Sequence, residues 1–307
     1  MYLDDQIINK KIIPLEQVKL AEFADQGIEV DILRLDTIHP VISGNKWFKL
    51  KNYLYDASQK NCKDLITFGG AYSNHIVATA YAASQAGFGS VGIIRGEQPQ
   101  HLSHTLLEAR QYGMQLHFIS REEYKRKDNP AFLKNLGEKF PASYIIPEGG
   151  AGILGIKGCE EILSQIEKNQ YSHILCAIGT GTMFIGIANS SKPDQYIIGI
   201  PVLKGMHDLM AQFQPQLHDQ RKLNYCSIQY GYHFGGYAKK NNELIDFMNS
   251  MYERSRIPTD FVYTAKLFYG AIDLAIKKYF STGNKLLLIH SGGLQGNLSL
   301  PAGTLNF

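Results

Sequence analysis

Short apolar runs alternate with amphipathic stretches along most of the chain. Seven runs rich in Ile, Leu and Val have the length and composition of strands that are covered on both faces. These predicted strands are residues 64–68, 91–95, 115–119, 143–146, 173–178, 196–203 and 285–290. Helical patterns lie before, between and around them, at residues 47–58, 103–112, 155–168, 242–254 and 264–280. This alternation predicts an α/β fold with largely parallel sheets covered by helices.

Glycine clusters follow several of the predicted strands. They are Gly69-Gly70, Gly149-Gly150, the pair Gly179 and Gly181, and Gly292-Gly293. In open α/β sheets, ligands bind beyond the carboxyl ends of the strands. The clusters therefore predict a ligand site built from these turns.

The composition is that of an ordinary globular protein. Hydrophobic residues make up 44% of the 307 residues and charged residues 19%, which argues against disorder and allows two domains or one large unit. A net charge of +3 with scattered lysines argues against nucleic-acid binding. No stretch reaches the roughly 18 apolar residues of a membrane span.

The N-terminus and the cysteines indicate a cytoplasmic protein. The first residues, MYLDDQIINKK, contain early acidic residues and no apolar core of signal-peptide length. The four cysteines are far apart, so neither a disulfide framework nor a zinc site is expected. The histidines also lack the spacing of metal ligands, and we assign no metal.

The first candidate for chemistry is Lys46, in the run SGNKWFKL. A solvated lysine at a helix start is the ordinary interpretation. However, a cation opposes the helix dipole at this end, and an amine that forms an imine must be unprotonated. Lys49 lies on the same helical face and could meet a phosphate. One lysine for an aldehyde and one for a phosphate is a chemically coherent pair.

The second candidate is the run TFGGAYSNH, which predicts a strand, a tight turn and a helix. Ser73 or Asn74 is placed to cap that helix. The alternative is that the helix start, behind two glycines, binds the carboxylate of a ligand through its N–H groups. The sequence leaves both interpretations open.

The third candidate is the loop Gly179, Thr180, Gly181 and Thr182. Small residues let the backbone close around a phosphate, and the hydroxyls can donate to its oxygens. No Lys-Ser/Thr follows, and Phe184 stands where a GxGxxG motif has its third glycine, so a nucleotide loop is disfavoured. A tight turn between strand and helix is the alternative. A lysine for an aldehyde and a loop for a phosphate together point to pyridoxal 5′-phosphate (PLP).

Taken together, these runs resemble the PLP-dependent family of 1-aminocyclopropane-1-carboxylate (ACC) deaminases and D-cysteine desulfhydrases. This family belongs to the tryptophan-synthase-β-like superfamily, fold type II. The motifs that carry the resemblance occur in family order from about residue 30 to 293: SGNKWFKL, GGAYSNH, PEGGAGILGIKG, AIGTGT, GGYA, FVYTAK and IHSGG.

The resemblance implies an architecture. It implies two open, twisted, mostly parallel sheets covered by helices, with PLP in the interdomain cleft. The larger, PLP-binding domain would comprise residues 1–48 plus 158–307, and the smaller inserted α/β domain residues 49–157. A homodimer that acts on a small amino acid is also implied.

The resemblance assigns roles to five residues of the inserted region and its border. Lys46 matches the Schiff-base lysine, and Lys49 matches a phosphate contact. Asn74 matches the asparagine bonded to the phenolic oxygen of the cofactor. Ser73 matches the catalytic serine that meets the substrate carboxylate, and His75 follows it in the substrate site together with Asn74.

The remaining roles fall in the second half of the chain. The Gly179, Thr180, Gly181 and Thr182 loop matches the phosphate loop. Tyr237 and Tyr263 match two catalytic tyrosines that lie over the cofactor and the substrate.

Thr264 and Ser291 match two positions near the pyridine nitrogen. ACC deaminases carry Glu at the first and typically Leu at the second, whereas desulfhydrases carry small hydroxyl residues. A carboxylate stabilises a protonated pyridinium, which makes a stronger electron sink. Two hydroxyls should leave the nitrogen largely unprotonated, which suffices for loss of a thiolate. The resemblance therefore implies a D-cysteine desulfhydrase.

Three alternatives stay open. They are an ACC deaminase, a dehydratase or racemase of the D-serine type, and a PLP-binding reservoir or regulator without turnover. After Gly293 the sequence LQGNLSLPAGTLNF departs from the family, which bears on the choice of substrate.

Overall fold

The computed structural model describes residues 13–307. The segment MYLDDQIINKK, and with it the start of the predicted 1–48 region, lies outside the described residues. The strands are β1 (Leu15–Val18), β2 (Glu29–Arg34), β3 (Asp64–Gly69), β4 (Gly89–Arg95), β5 (Met114–Ile119), β6 (Ser143–Ile145), β7 (His173–Ile178), β8 (Tyr196–Pro201), β9 (Cys226–Ile228) and β10 (Lys285–His290).

The α-helices range from one to four turns. They are α1 (Ala21–Ala24), α2 (Asn45–Gln59), α3 (Asn74–Gln85), α4 (His104–Gln111), α5 (Arg121–Tyr124), α6 (Pro130–Lys139), α7 (Ile153–Cys159), α8 (Thr182–Ser190), α9 (Leu209–Phe213), α10 (Asn242–Ser255) and α11 (Thr264–Ile276). In the described part of the chain, no helix is long and apolar enough to span a membrane.

The described residues form two compact units. One is His39–Gly158, and the other combines residues 13–38 with Cys159–Phe307. The domain limits expected from the sequence, residues 1–48 plus 158–307 and residues 49–157, stay a prediction.

The unit His39–Gly158 contains a four-stranded sheet in the order β5-β4-β3-β6, with every neighbouring pair parallel. Its strands are apolar because both faces are covered. Ile66, Phe68 and Val91 pack into one cluster with residues of α5 and α6. Ile94 and Met114 pack into a second cluster with residues of α3 and α4.

The other unit contains a six-stranded sheet in the order β1-β2-β10-β7-β8-β9. β1 is antiparallel to β2, and the remaining neighbours are parallel. Ile32, Leu175, Ile198 and Leu288 of this sheet form one buried cluster with Leu267 of α11. The predicted α/β class with two mostly parallel sheets and covering helices is therefore confirmed.

All seven predicted strands are present with ends within two residues, but β1, β2 and β9 were missed. β2 carries Asp31 and Arg34 within a buried strand, which interrupts the apolar run. Both charges are paired, since Arg34 donates to Asp36 at 2.9 and 2.7 Å and to Glu16 at 2.8 Å. Asp31 accepts a 2.7 Å hydrogen bond from the Tyr171 hydroxyl. Hydrogen bonds and ion pairs to residues outside β2 thus allow charged side chains inside a buried strand, which the apolar pattern does not predict.

The predicted helix at residues 155–168 is wrong in extent. The α-helix ends at Cys159, and a separate 3-10 turn follows at Ile162–Gln165. Glu160, directly after the helix, accepts from Asn189 Nδ2 at 3.0 Å and contacts His218 Nε2 at 2.7 Å. These contacts made outside the helix compete with its continuation. The predicted helix at 264–280 also stops earlier, at Ile276.

Candidate active site

Lys46 is the second residue of α2, directly behind a turn that requires glycine. Gly44 has φ 68° and ψ −142°, a conformation that residues with a Cβ rarely adopt. Asn45 is buried, and its Oδ1 accepts a 3.1 Å hydrogen bond from Lys46 Nζ. The half-buried lysine therefore lies at the positive end of the helix dipole, which disfavours an ammonium there.

The segment that ends in α7 packs against α2 within the same unit. Asn52 Nδ2 donates to the carbonyl of Leu154 at 3.0 Å, and the Tyr53 hydroxyl donates to the carbonyl of Ala151. A Cβ at Gly158 would lie 1.7 Å from the carbonyl oxygen of Phe48, so only glycine fits. The PEGGAGILGIKG motif thus fixes the helix that carries Lys46.

Ser73 precedes α3, but its side chain makes no capping hydrogen bond. The expectation that Ser73 or Asn74 simply caps this helix is therefore wrong. The reason is local, because the Ser73 side chain turns back over the end of β3. A Cβ at Gly69 would lie 2.8 Å from Ser73 Oγ. The N–H groups of the first turn receive no side-chain cap, and this is the arrangement that binds a carboxylate.

Asn74 and His75, the first two residues of α3, each have a buried side-chain atom without a hydrogen-bond partner among the described residues. These atoms are Asn74 Oδ1 and His75 Nδ1. Buried polar atoms are rarely left unpaired, so each such atom asks for an explanation. The Asn74 amide can turn to present its N–H groups, and in that orientation it would donate to the phenolic oxygen that the resemblance assigns to it.

His75 is held as a neutral ring. Its Nε2 lies 2.8 Å from Thr67 Oγ1, and the Thr67 hydroxyl donates to the Ile146 carbonyl at 3.0 Å. Since that hydroxyl has one proton, this network assigns the ring proton to Nε2. Burial, together with the charges of Lys46 and Lys49, lowers the pKa of His75 well below its usual value. The side chains of Lys46, Lys49 and His75 therefore lie close enough for both lysine charges to act on the histidine ring.

The Gly179–Thr182 loop belongs to the other unit and follows β7. Gly181 has φ 81° and precedes α8, and a Cβ there would lie 2.3 Å from Phe213 Cε1. Thr180 Oγ1 and Thr182 Oγ1 are 2.9 Å apart, and no side chain caps α8. A glycine turn, two adjacent hydroxyls and an uncapped helix start fit a phosphate group.

Tyr263 and Tyr237 lie in the same unit as this loop and contact each other. Their ring centroids are 6.2 Å apart, with an interplanar angle of 73°. A Cβ at Gly179 would lie 3.2 Å from Tyr263 Cε1. The structure thus brings the predicted phosphate loop and both predicted tyrosines together.

Asp260 is a site residue that the sequence analysis missed. Its fully buried carboxylate accepts from the amides of Val262, Tyr263 and Thr264, each at 2.9 Å. It also accepts from the Thr264 hydroxyl at 2.7 Å. A Cβ at Gly293 would lie 3.0 Å from the carboxylate carbon. An Asp just before an apolar helix is a recognised N-terminal signal, and it could have been found.

The predicted site residues therefore form one group in each unit. Lys46, Lys49, Ser73, Asn74 and His75 lie in His39–Gly158. In the other unit, Asp260 joins Thr264 to the turn that follows Ser291, and Ser291 is 8% exposed. The amine, the phosphate loop and the Asn74 amide, whose N–H groups can donate to a phenolic oxygen, are chemically suited to PLP.

Comparison with known proteins agrees with this geometry. Residues 11–292 match the family model described as pyridoxal-phosphate dependent enzyme. The chain belongs to this family. The cofactor of the family is PLP, as the sequence predicted.

Individual relatives of the chain identify the branch of this family to which it is similar. A putative ACC deaminase of Pyrococcus abyssi is 32% identical and covers 88% of this chain and 86% of its own. A bifunctional D-cysteine desulfhydrase/ACC deaminase, mitochondrial, of Arabidopsis thaliana is 29% identical, with 88% and 73% covered. A crystal structure of an ACC deaminase homologue has a TM-score of 0.76 at 26% identity, with 96% of this chain and 94% of that chain covered. The predicted resemblance to the ACC deaminase/D-cysteine desulfhydrase family is confirmed.

The phosphate loop gives a direct test of cofactor binding. Thr182 is 2% exposed, and Thr182→Asp would place a negative charge in a buried loop that is expected to hold a phosphate. Like charges repel strongly where solvent is excluded, so we expect PLP affinity to fall about tenfold or more. Thr182→Ser keeps the hydroxyl and should bind nearly as the wild type does. Equilibrium dialysis measures both, and equal affinity of the Asp variant would reduce the loop to a simple turn.

Proposed function

We propose that the protein is a D-cysteine desulfhydrase. It would convert D-cysteine and water to pyruvate, ammonia and hydrogen sulfide by β-elimination. The observation that carries the proposal is the environment of position 264, where a neutral hydroxyl stands instead of a carboxylate.

The nearest carboxylate to this position is Asp260, and its hydrogen bonds support the proposal. Each of its oxygens accepts two hydrogen bonds from the turn that it caps. Its charge is therefore used to hold the backbone and is not offered to a ligand. The sequence analysis considered the hydroxyls alone, and the buried Asp260 behind Thr264 adds a constraint that it did not contain.

Thr264 and Ser291 would then have different hydrogen-bond partners. The Thr264 hydroxyl donates to Asp260 and accepts from the Asp260 amide at 2.7 Å, so its proton is already used. This leaves Ser291, at the end of β10, as the hydroxyl that we assign to the pyridine nitrogen. A neutral partner favours a moderate electron sink, which suits a good leaving group such as hydrosulfide.

The first group of residues would bind the substrate and move its proton. Bound PLP supplies the electron sink that stabilises the charge left at the substrate Cα. Lys46 would hold the cofactor covalently between turnovers and take the Cα proton during them. Ser73 and the uncapped amides at the start of α3 would bind the substrate carboxylate. Loss of hydrosulfide from Cβ releases 2-aminoacrylate, which water hydrolyses to pyruvate and ammonia.

Further residues of both groups would hold and cover the cofactor. The Gly179–Thr182 loop would bind the phosphate, with Lys49 as a further cationic contact. Asn74 would bond the phenolic oxygen of the cofactor. Tyr263 and Tyr237 would cover the reacting atoms and exclude water.

ACC deaminase is the second candidate. The names of the relatives from Pyrococcus abyssi and Arabidopsis thaliana favour it, since one names the ACC reaction alone and the other names both reactions. Ring opening is more demanding than thiolate loss, and position 264 lacks the carboxylate that would assist it.

A substrate comparison separates the candidates. We expect kcat/KM for D-cysteine to exceed that for ACC at least roughly tenfold, a gap of about 1.4 kcal/mol in transition-state stabilisation. The double variant Thr264→Glu with Ser291→Leu should narrow this gap between the two substrates, because it supplies a carboxylate and removes both hydroxyls. The release of keto acid measures both reactions. D-Serine should be assayed in the same way, because a dehydratase of the D-serine type is one of the alternatives. Faster turnover of ACC by the wild type would reject the assignment, and a PLP absorption band that no amino acid shifts would indicate a binding protein.

A further inference from the structure

Lys266 places a charge in the core of the unit that contains the two tyrosines. It lies in α11, two residues after Thr264, and is 0% exposed. Its Nζ donates a 2.7 Å hydrogen bond to the carbonyl of Gly236. Burial lowers its pKa to about 8, although the nearby Asp260 carboxylate acts in the opposite direction. An apolar side chain would fill this space at lower cost, so packing alone does not account for a lysine here.

The carbonyl that Lys266 holds belongs to a turn of unusual backbone conformation. Phe234, Gly235, Gly236 and Ala238 all have positive φ, at 50°, 90°, 121° and 52°. For Phe234 and Ala238, which carry a Cβ, this region is unfavourable. Backbone strain persists only where the surroundings enforce it, and it concentrates at functional sites.

Tyr237 is the residue that this turn presents. Its side chain is 49% exposed and contacts the ring of Tyr263. The backbone beside it is held by hydrogen bonds. Gly236 donates to the His233 carbonyl at 3.0 Å, and its own carbonyl also accepts from the Lys239 amide at 3.2 Å. A Cβ at Gly236 would lie 3.2 Å from Lys204 Cβ, so the turn also packs closely on its other side.

We propose that Lys266 is a positioning residue that holds Tyr237 over the substrate by anchoring the Gly236 carbonyl. The inference rests on the proposed function, in which Tyr237 covers the reacting atoms. Lys266 itself does not touch the substrate in this proposal and acts through the backbone of the turn.

The chain provides a matched control in Lys222. This lysine is also buried, at 5% exposure, and burial also lowers its pKa. Its Nζ donates to Ser191 Oγ at 2.7 Å and to the Lys192 carbonyl, at the end of α8 away from the phosphate loop. Lys266→Met and Lys222→Met remove the same charge from a buried site, but only the first removes a contact to the Tyr237 turn.

The first measurement does not depend on activity. Amide hydrogen exchange of the PLP-loaded protein should accelerate about tenfold at residues 234–239 in Lys266→Met and remain unchanged there in Lys222→Met. Lys266→Gln, which keeps an N–H donor, should be intermediate and serves if the Met variant does not fold. Unchanged exchange at this turn in a folded Lys266 variant would overturn the proposal, whatever the enzyme's substrate is.

The second measurement is a double-mutant cycle on kcat/KM with D-cysteine. Lys266→Met and Tyr237→Ala should each lower it about tenfold, and their combination should lower it little further, because both remove the cover over the substrate. Lys222→Met combined with Tyr237→Ala should show independent effects. Independent, multiplying losses for Lys266→Met and Tyr237→Ala would instead mean that Lys266 acts elsewhere. If the wild type turns over no amino acid, the proposed function fails, while the exchange result still decides the role of Lys266.

Discussion

Replacing Lys46 with alanine should lower kcat/KM for D-cysteine by about a thousandfold or more. The variant loses the amine that would hold the cofactor covalently and that would accept the Cα proton. Loss of a general base alone typically costs about 10²- to 10⁴-fold. Pyruvate release under steady-state conditions measures the effect, and PLP content should be determined in parallel.

Two controls separate this effect from general damage to α2. Lys60→Ala removes an exposed lysine directly after the same helix, where it pairs with Asp56 at 2.7 Å, and should change activity less than twofold. Borohydride reduction of the PLP-loaded wild type should leave the cofactor on the peptide that contains Lys46. Recovery of the adduct on a different lysine, or no adduct at all, would remove Lys46 from this role.

Replacing Asp260 with asparagine should destabilise the protein by about 3 kcal/mol. Both carboxylate oxygens accept two hydrogen bonds in a fully buried turn. An amide would turn N–H groups toward backbone donors, and each unsatisfied buried donor costs about 1–3 kcal/mol. Urea unfolding gives the free energy directly. Activity should fall as well, because the same turn fixes Tyr263 and Thr264.

Asp219→Asn is the matched control for this stability effect. Asp219 also accepts from a backbone amide, that of Arg221 at 2.9 Å, but in an exposed turn. Asparagine caps exposed turns about as well as aspartate, and the ion pair with Arg221 is exposed, so the free energy of unfolding should hardly change. Equal stabilities of Asp260→Asn and the wild type would show that the buried carboxylate does not hold the turn.

The sequence predicted the strands that form apolar runs. It missed β2, which is buried but carries paired charges, and the short, partly exposed strands β1 and β9. Runs such as residues 173–178 are apolar because helices or neighbouring residues cover both faces, and this requirement is visible in composition. β2 has the same burial, but Asp31 is bonded to Tyr171 and paired with Lys285, and Arg34 bonds Glu16 on β1 in addition to the nearby Asp36. A local pattern contains no information about the distant partners.

The same distinction applies to the candidate site. The lysine, serine and glycine motifs could be located because their chemistry is local to each motif. The hydroxyl of Ser73 resembles a helix cap in the sequence, but in the folded chain it makes no capping hydrogen bond and occupies the space where a Cβ at position 69 would lie. The role proposed for Lys266 depends on a carbonyl thirty residues earlier, which only the folded chain brings within hydrogen-bond distance.

The position of β10 has a consequence for the order in which the chain can fold during synthesis. β10 (Lys285–His290) lies between β2 and β7 and pairs with both, although β2 is made more than 250 residues earlier. A ribosome that has released 158 residues has already supplied all four strands of the smaller sheet. The six-stranded sheet, in contrast, lacks its central ladder until residues 285–290 have been made. Until then β2 and β7 each keep an open edge, which leaves the nascent chain with exposed strand edges for most of this synthesis.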